Sequence, residues 1–141
     1  MQNHYIDSSL ISSFLLQKIG FEISEATFET LYTSRLTEVE VHRTLIRAKS
    51  EKTINENEFA ERCLILNQII KYMNVIEINS NIVFLAKSAI PFPLKTLDSI
   101  HLASAIHLKN ISNDVQFHTL DKRQANAAKV LGMETKQALR E

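Results

Sequence analysis

Apolar and polar positions follow two different spacings along the chain, and each change of spacing marks a change of predicted element. Short β-prone runs at residues 4–7, 31–34 and 115–119 have the character of strands. Each run is followed at once by apolar residues at helical spacing, which predicts helices from about residue 9, from residue 37 and from Asp121. The pattern therefore predicts three places where a strand leads directly into a helix.

The middle of the chain has mainly helical patterning. One helix is predicted to begin within residues 55–57, and a shorter one covers about residues 80–88. Pro91 and Pro93 then interrupt the pattern, because proline has no backbone N–H and restricts the residue before it. The helix that begins near Thr96 is apolar nearly all round, so we expect it to be packed on more than one side.

Strands that alternate with helices predict an α/β fold with a central, mainly parallel sheet flanked by helices. The 141 residues show no linker or repeat, so we expect a single domain over residues 1–141 with a substantial core. The chain has only two glycines, Gly20 and Gly132, and each follows a helical pattern where a C-terminal cap is expected. A Gly-rich phosphate loop and a dinucleotide fingerprint are therefore excluded.

Composition narrows the class of protein without naming a partner. Basic and acidic residues number 16 each, so any nucleic acid would have to be held by a local patch. Cys63 has no second cysteine to pair with and falls on an apolar helical face, which indicates a buried thiol in a reducing compartment. No apolar run approaches the roughly 18 residues of a membrane span, so the expected location is cytoplasmic.

The candidate chemistry lies in four acidic residues. Asp7 and Asp121 each end a predicted strand and precede a helix, Glu40 lies one helical turn beyond the second strand, and Asp98 lies on the buried helix. In a parallel sheet the strand-to-helix turns lie along one edge, so these carboxylates could meet there. Carboxylates that meet repel one another unless a cation intervenes, and an oxygen-only site suits Mg²⁺ or Mn²⁺.

Each of these acids also has a purely structural interpretation. Asp7, Asp98 and Asp121 fall at predicted helix starts, where aspartate accepts hydrogen bonds from free backbone N–H groups and opposes the helix dipole. Glu40 could form an ordinary surface ion pair with Arg43. Only their convergence at one place would favour a functional site.

Other chemistries fit less well. His101 and His107 are six residues apart, on different faces of one helix, so they do not form a zinc motif. A phosphotransfer enzyme of the haloacid-dehalogenase type needs a second aspartate two residues after the first, where this chain has Ser9. A receiver domain needs paired acids after its first strand, and Ser8 and Ser9 do not supply them.

Four short motifs occur in order across nearly the whole chain. They are Tyr5-Ile-Asp7-Ser-Ser9, Ser34-Arg-Leu-Thr-Glu-Val-Glu40-Val-His-Arg43, Leu97-Asp98-Ser-Ile-His-Leu-Ala-Ser-Ala105 and Phe117-His-Thr119-Leu-Asp121-Lys-Arg123. In this order and spacing they resemble the PIN-domain ribonucleases, and most closely the VapC-type toxins of prokaryotic toxin–antitoxin systems. The resemblance rests on the combination, because each motif alone is short.

The resemblance implies a PIN-like three-layer domain and a metal-dependent endoribonuclease that hydrolyses RNA phosphodiester bonds. It makes Asp7, Glu40, Asp98 and Asp121 the catalytic acids, which bind one or two Mg²⁺ or Mn²⁺ ions. Glu38 is a nearby rival for the second position, although Glu40 fits the motif better. The alternative is a catalytically inactive PIN-like module that binds RNA or protein.

The resemblance also implies supporting residues and partners. Ser9 and Thr119 match hydroxyl positions that help to shape the site, although Ser9 could equally be a local helix cap. It further implies a homodimer and a cognate antitoxin protein. The RNA-binding cations nearest the proposed edge are Arg35, Arg43, Arg47, Lys122 and Arg123.

Overall fold

The computed structural model describes residues 2–16 and 27–137, and its strands within these ranges form a five-stranded parallel sheet. The strands are β1 Asn3–Ile6, β2 Leu31–Ser34, β3 Asn74–Ile76, β4 Val115–Thr119 and β5 Glu134–Gln137. Their order across the sheet is β3-β2-β1-β4-β5, and every neighbouring pair is parallel. β1 is therefore central, and β4 pairs with it along its whole length.

Six α-helices connect or follow these strands in the described ranges. They are α1 Ser8–Leu15, α2 Arg35–Ser50, α3 Glu56–Tyr72, α4 Ser80–Ser88, α5 Thr96–Ser112 and α6 Lys122–Val130. The predicted direct passage from strand to helix is present three times, from β1 to α1, from β2 to α2 and, after two residues, from β4 to α6. These passages bring the starts of three helices to one edge of the sheet.

The helices cover both faces of the sheet, as the alternation of side chains along β1 requires. Ile6 belongs to an apolar cluster that residues of α1, α2 and α3 complete. Tyr5 belongs to a second cluster with residues of β4, α5 and α6, and its ring stacks on Phe117 with centroids 5.4 Å apart. The three-layer α/β architecture predicted from the sequence is confirmed.

Local hydrogen bonds explain where some helices begin. α2 starts at Arg35, two residues before the predicted position, because the Ser34 hydroxyl accepts a hydrogen bond from the backbone N–H of Leu36 and caps the helix. α5 starts at Thr96, and its capping residue is Lys95, whose side chain makes no capping bond. Asp98 lies in the first turn of α5, as predicted.

Three features differ from the sequence patterns or lie beyond them. Strand β5 was not predicted, because its four residues are polar and mostly exposed at the edge of the sheet. Cys63 is only partly buried rather than fully buried, since α3 buries few of its residues. The capping role predicted for Gly20 lies outside the described residues, whereas Gly132 follows α6 with a φ of +83° that favours glycine. In the described ranges, no helix combines the length and apolar character of a membrane span.

Candidate active site at the carboxyl edge of the sheet

Asp7 and Asp121 lie at neighbouring strand-to-helix turns. Asp7 follows β1 as the N-cap of α1, and Asp121 follows β4 as the N-cap of α6. Thr119 connects them directly, because its hydroxyl donates to Asp7 Oδ2 at 2.5 Å and accepts the backbone N–H of Asp121 at 3.0 Å. The pairing of β1 with β4 thus places these two aspartates at one spot.

Asp7 is a buried carboxylate, with only 5% of its surface exposed. Its Oδ1 accepts hydrogen bonds from the backbone N–H of Ser9 at 3.1 Å and from the Ser9 hydroxyl at 2.5 Å. Burial raises the pKa of Asp7, while His101 and the hydrogen bonds from Ser9 and Thr119 act in the opposite direction. Among the described residues, no lysine or arginine forms an ion pair with Asp7.

The pKa of Asp98 is affected by two of the other candidate acids. Burial raises the pKa of Asp98, and the negative charges of Asp121 and Glu40 raise it further, while His101 and Lys95 lower it. Asp98 on α5 therefore lies within electrostatic reach of Glu40 on α2 and of Asp121 at the start of α6. A cation placed among them would relieve both the repulsion and the cost of burial.

A buried glutamine ties the helices that carry two of these acids. The side-chain amide of Gln124, on α6, donates to the backbone carbonyl of Asp98 at 3.0 Å. Gln124 is 1% exposed, and its Oε1 has no hydrogen-bond partner among the described residues. The bond fixes the first turn of α5 against α6, and so places Asp98 relative to Asp121.

Glu40 is held by a histidine rather than by the ion pair considered from the sequence. His101 Nε2 lies 2.6 Å from Glu40 Oε1, and His101 Nδ1 lies 2.7 Å from the Tyr5 hydroxyl. Glu38, the rival for this position, instead pairs with Arg35 at 3.0 Å, and its side chain is 44% exposed. The geometry therefore favours Glu40 over Glu38 as the acid at this site.

The described residues contain no preformed group of three or more His, Cys, Asp or Glu side chains that could hold a metal ion. The candidate acids are instead bonded to protein groups, since the oxygens of Asp7 accept from Ser9 and Thr119, Glu40 is bonded to His101, and Asp121 caps α6. The donor set nevertheless fits a hard cation, because it consists of carboxylates and includes a buried aspartate without a lysine or arginine partner.

The cations proposed from the sequence fall into two groups. Arg35 is already paired, with Glu77 at 2.5 Å and with Glu38 at 3.0 Å, so its inclusion among the RNA contacts loses support. The others are exposed and form no ion pair with a carboxylate of the described residues; they are Arg43, Arg47, Lys122 and Arg123. These four remain available to a polyanion.

A polar cleft of about 280 Å³ opens beside Glu40. Its walls are Glu40 and Thr44 from α2 and, from α1 and the residue after it, Ser8, Ser9, Ser12, Ser13 and Leu16. A neighbouring cleft shares Thr44 and reaches Arg47. The two clefts together extend beside α2 from Glu40 to Arg47.

Sequence reasoning missed three residues of the site, His101, Tyr5 and Gln124. His101 was considered only as a possible zinc ligand and set aside. Its position three residues after Asp98 was a usable signal, because residues three apart share a helix face. Tyr5 and Gln124 gave no comparable signal, since their roles depend on contacts with distant parts of the chain.

Comparison with known proteins agrees with the fold. The model of the PIN domain matches residues 4–130. The chain is 29% identical over 133 residues to Ribonuclease VapC46 of Mycobacterium tuberculosis (strain ATCC 25618 / H37Rv), which covers 92% of each chain. The crystal structure of PAE2754 from Pyrobaculum aerophilum superposes with a TM-score of 0.63 at 17% identity, over 95% of this chain and 89% of that one. The chain therefore belongs to the PIN-domain family, and its resemblance is to the VapC-type ribonucleases within it.

Proposed function

We propose that the protein is a metal-dependent endoribonuclease that hydrolyses RNA phosphodiester bonds and acts as the toxin of a toxin–antitoxin pair. The observation that carries the proposal is the grouping of acids at the carboxyl edge of β1 and β4. Asp7 is buried there and bonded through Thr119 to the turn of Asp121, and the pKa of Asp98 is raised by burial and then by Asp121 and Glu40. The similarity to a protein named a ribonuclease supports the reaction class.

In this proposal Asp7, Glu40, Asp98 and Asp121 hold one or two Mg²⁺ or Mn²⁺ ions. A bound ion of this kind would supply a water of lowered pKa and would stabilise negative charge on the phosphate. The chain's own residues set the positions of the oxygens. Ser9 and Thr119 supply that support for Asp7, since their hydroxyls bond both of its carboxylate oxygens.

RNA would be held by exposed cations around this edge. Arg43 lies one turn after Glu40 on α2, and Lys122 and Arg123 begin α6 directly after Asp121. The hydroxyl-lined cleft beside Glu40 offers hydrogen-bond partners for ribose or base groups. Binding through such contacts would weaken as salt concentration rises, because phosphate neutralisation releases counterions.

The proposal includes two protein partners, a second copy of this chain and an antitoxin. We expect a cytoplasmic homodimer and a cognate antitoxin that covers the acidic site. Val83 and Phe84 on α4 are exposed apolar side chains and are candidates for an interface between copies. Light scattering would give the mass of two chains for the wild type, and a lower mass for Phe84→Glu if this face forms the dimer.

A cleavage assay on total cellular RNA tests the proposed reaction. We expect cleavage with Mg²⁺ or Mn²⁺, loss of cleavage with EDTA, and recovery when the divalent ion is restored in excess. Asp98→Asn should be inactive under every condition, and a matching circular dichroism spectrum would show that it is folded. Cleavage that persists in EDTA, or equally in Asp98→Asn, would contradict the proposal.

A second candidate is a PIN-like module that binds RNA or protein without cleaving. Two observations favour it, since Asp7 and Asp121 both act as helix caps, and the described residues hold no preformed metal cluster. The same assay separates the two candidates when RNA binding is measured beside it. Salt-dependent binding of RNA without metal-dependent cleavage would establish the binding module.

A further inference from the structure

His101 lies beneath the acidic edge and contacts residues from two other elements. It is 2% exposed on α5, between the Tyr5 hydroxyl of β1 and the Glu40 carboxylate of α2. The two contacts use its two ring nitrogens, Nδ1 at 2.7 Å from Tyr5 and Nε2 at 2.6 Å from Glu40. The imidazole cannot rotate without losing both bonds.

The chemistry of the partners sets the direction of one bond. An ionised carboxylate only accepts hydrogen bonds, so Nε2 carries a hydrogen and donates it to Glu40 Oε1. Tyr5 anchors the other nitrogen from a rigid position, because its side chain is fully buried and stacked on Phe117. Burial, with Asp7 nearby, raises the pKa of Tyr5 well above its usual value, so its hydroxyl stays protonated.

The hydrogen bond from His101 limits the motion of Glu40, which is the most flexible of the four candidate acids. Glu40 has a longer and more flexible side chain than the three aspartates, and its side chain is 22% exposed. The bond to His101 fixes Oε1, whereas Oε2 makes no hydrogen bond or ion pair with another described residue. One oxygen of Glu40 is therefore held by the protein, and the other has no such partner there.

His101 also lies close in the fold to two other acids of this edge. Asp98 precedes it by three residues, on the same face of α5. The Tyr5 hydroxyl that contacts its ring belongs to β1, the strand that ends directly before Asp7.

We infer that Tyr5 and His101 form a positioning chain for Glu40, in which Tyr5 fixes the imidazole and His101 orients the carboxylate toward the cation site. The inference rests on the proposed function, and it adds Tyr5 and His101 to the four acids as positioning residues. In other metal sites, mutation of a residue that hydrogen-bonds a metal ligand lowers metal affinity or activity by about 10- to 100-fold. A similar loss is expected when the chain is broken.

Matched variants separate positioning from simple packing. His101→Leu keeps apolar volume but removes both bonds, whereas His101→Gln keeps a donor that can reach Glu40. Tyr5→Phe keeps the stacked ring and removes only the hydroxyl. His118→Leu is the control, because His118 is also buried, at 4% exposure, but it bonds His4 rather than an acid.

The first readout is Mn²⁺ affinity by isothermal titration, measured without RNA. We expect His101→Leu to bind Mn²⁺ about 10- to 100-fold more weakly, His101→Gln to recover part of the loss, and His118→Leu to match the wild type. The kcat for RNA cleavage should fall in parallel while KM changes little. A folded His101→Leu with wild-type Mn²⁺ affinity and kcat would overturn the inference.

The second readout needs no metal and no activity, and it serves if His101→Leu does not fold. Long-range ¹H–¹⁵N spectra of the metal-free protein should show a hydrogen on His101 Nε2, and both Tyr5→Phe and Glu40→Ala should shift the His101 ring signals. A ring without that hydrogen, or signals unmoved by Glu40→Ala, would overturn the inference. If the wild type neither binds Mn²⁺ nor cleaves RNA, the proposed function fails as well; if it does both and only the His101 variants behave as wild type, the positioning chain alone fails.

Discussion

His101 and His118 are buried to a similar degree, yet the two faces of the sheet give them different surroundings. His101 contacts Tyr5, whose side chain lies on the face covered by α5 and α6, and reaches Glu40 at the carboxyl edge. His118 pairs with His4 at 2.9 Å between their ring nitrogens. One imidazole therefore borders carboxylates, and the other borders a second imidazole.

The two histidines are similarly buried, so the difference between their regions lies in the charged groups nearby. Burial lowers the pKa of His118 to about 3, and His4 and Lys136 act in the same direction. No carboxylate contacts His118 among the described residues. At the acidic edge the buried groups include the carboxyls of Asp7 and Asp98, and burial raises the pKa of both. The fold thus places a pair of imidazoles in one region and gathers carboxylates in the other.

The largest effect that we expect comes from removing one charge at the acidic edge. Asp98→Asn keeps the shape of the side chain but should lower the rate of RNA cleavage by at least about 100-fold, since such sites supply several kcal/mol of charge stabilisation. Initial rates on a defined RNA would measure it. Asp114→Asn, an exposed aspartate near His4, is the matched control and should cleave as the wild type does. Equal rates for both variants would remove the distinction between the regions.

A smaller effect is expected from the cations around the acidic edge. Arg43→Ala should weaken RNA binding and reduce the slope of log affinity against log salt by about 0.7 if it contacts one phosphate of a single strand. Arg35→Ala should leave that slope unchanged, because Arg35 is already paired with Glu77 and Glu38. Fluorescence anisotropy across a salt series would measure both variants. A larger change for Arg35→Ala would show that the ion pairs open when RNA binds.

We expect His118 to lower the stability of the folded protein in acid. The pKa of His118 is near 3 in the folded protein and near 6.5 when unfolded, so only the unfolded chain takes up this proton between those values. The free energy of unfolding should therefore fall as pH drops from about 6.5, by roughly 1 kcal/mol per pH unit for this group. His118→Gln should make that fall shallower in urea titrations. An unchanged slope would mean that His118 is protonated in the folded protein.

The smallest effect concerns the stability cost of the acidic edge. Because the pKa of Asp7 is raised in the fold, ionisation of Asp7 at neutral pH opposes folding, and this cost shrinks as pH falls through the folded pKa towards the unfolded one. Asp7→Asn should therefore be inactive but at least as stable as the wild type at pH 7, by up to about 1 kcal/mol. Urea denaturation at pH 7 would measure the difference. A clearly less stable variant would show that the ionised carboxylate is needed for its cap on α1.

The elements and the acids at their junctions could be predicted because their signals are local. The bounds of β2 and β4 follow from short β-prone runs, and each strand is followed directly by a helical pattern. Asp7 and Asp121 stand where those patterns change, so a parallel sheet implied that they would be close. The neighbouring positions of β1 and β4, and the bonds through Thr119, bear out that closeness.

The features that were missed depend on contacts between distant residues. β5 has no apolar alternation because it lies at the sheet edge, and only its pairing with β4 defines it. The link from Tyr5 through His101 to Glu40 joins three elements, and no spacing in the sequence encodes it. The hydrogen bonds of the candidate acids could not be predicted either, because each carboxylate has several possible partners once the chain is folded.

We propose that the carboxylates at the edge of β1 and β4 form a cation site, and crystals soaked in Mn²⁺ would reveal it. Anomalous scattering locates the ion without reference to activity. We expect a peak about 2 Å from carboxylate oxygens of at least two of the four acids, and its loss in Asp98→Asn. A peak elsewhere only, or none at saturating Mn²⁺, would show that these carboxylates do not bind a cation.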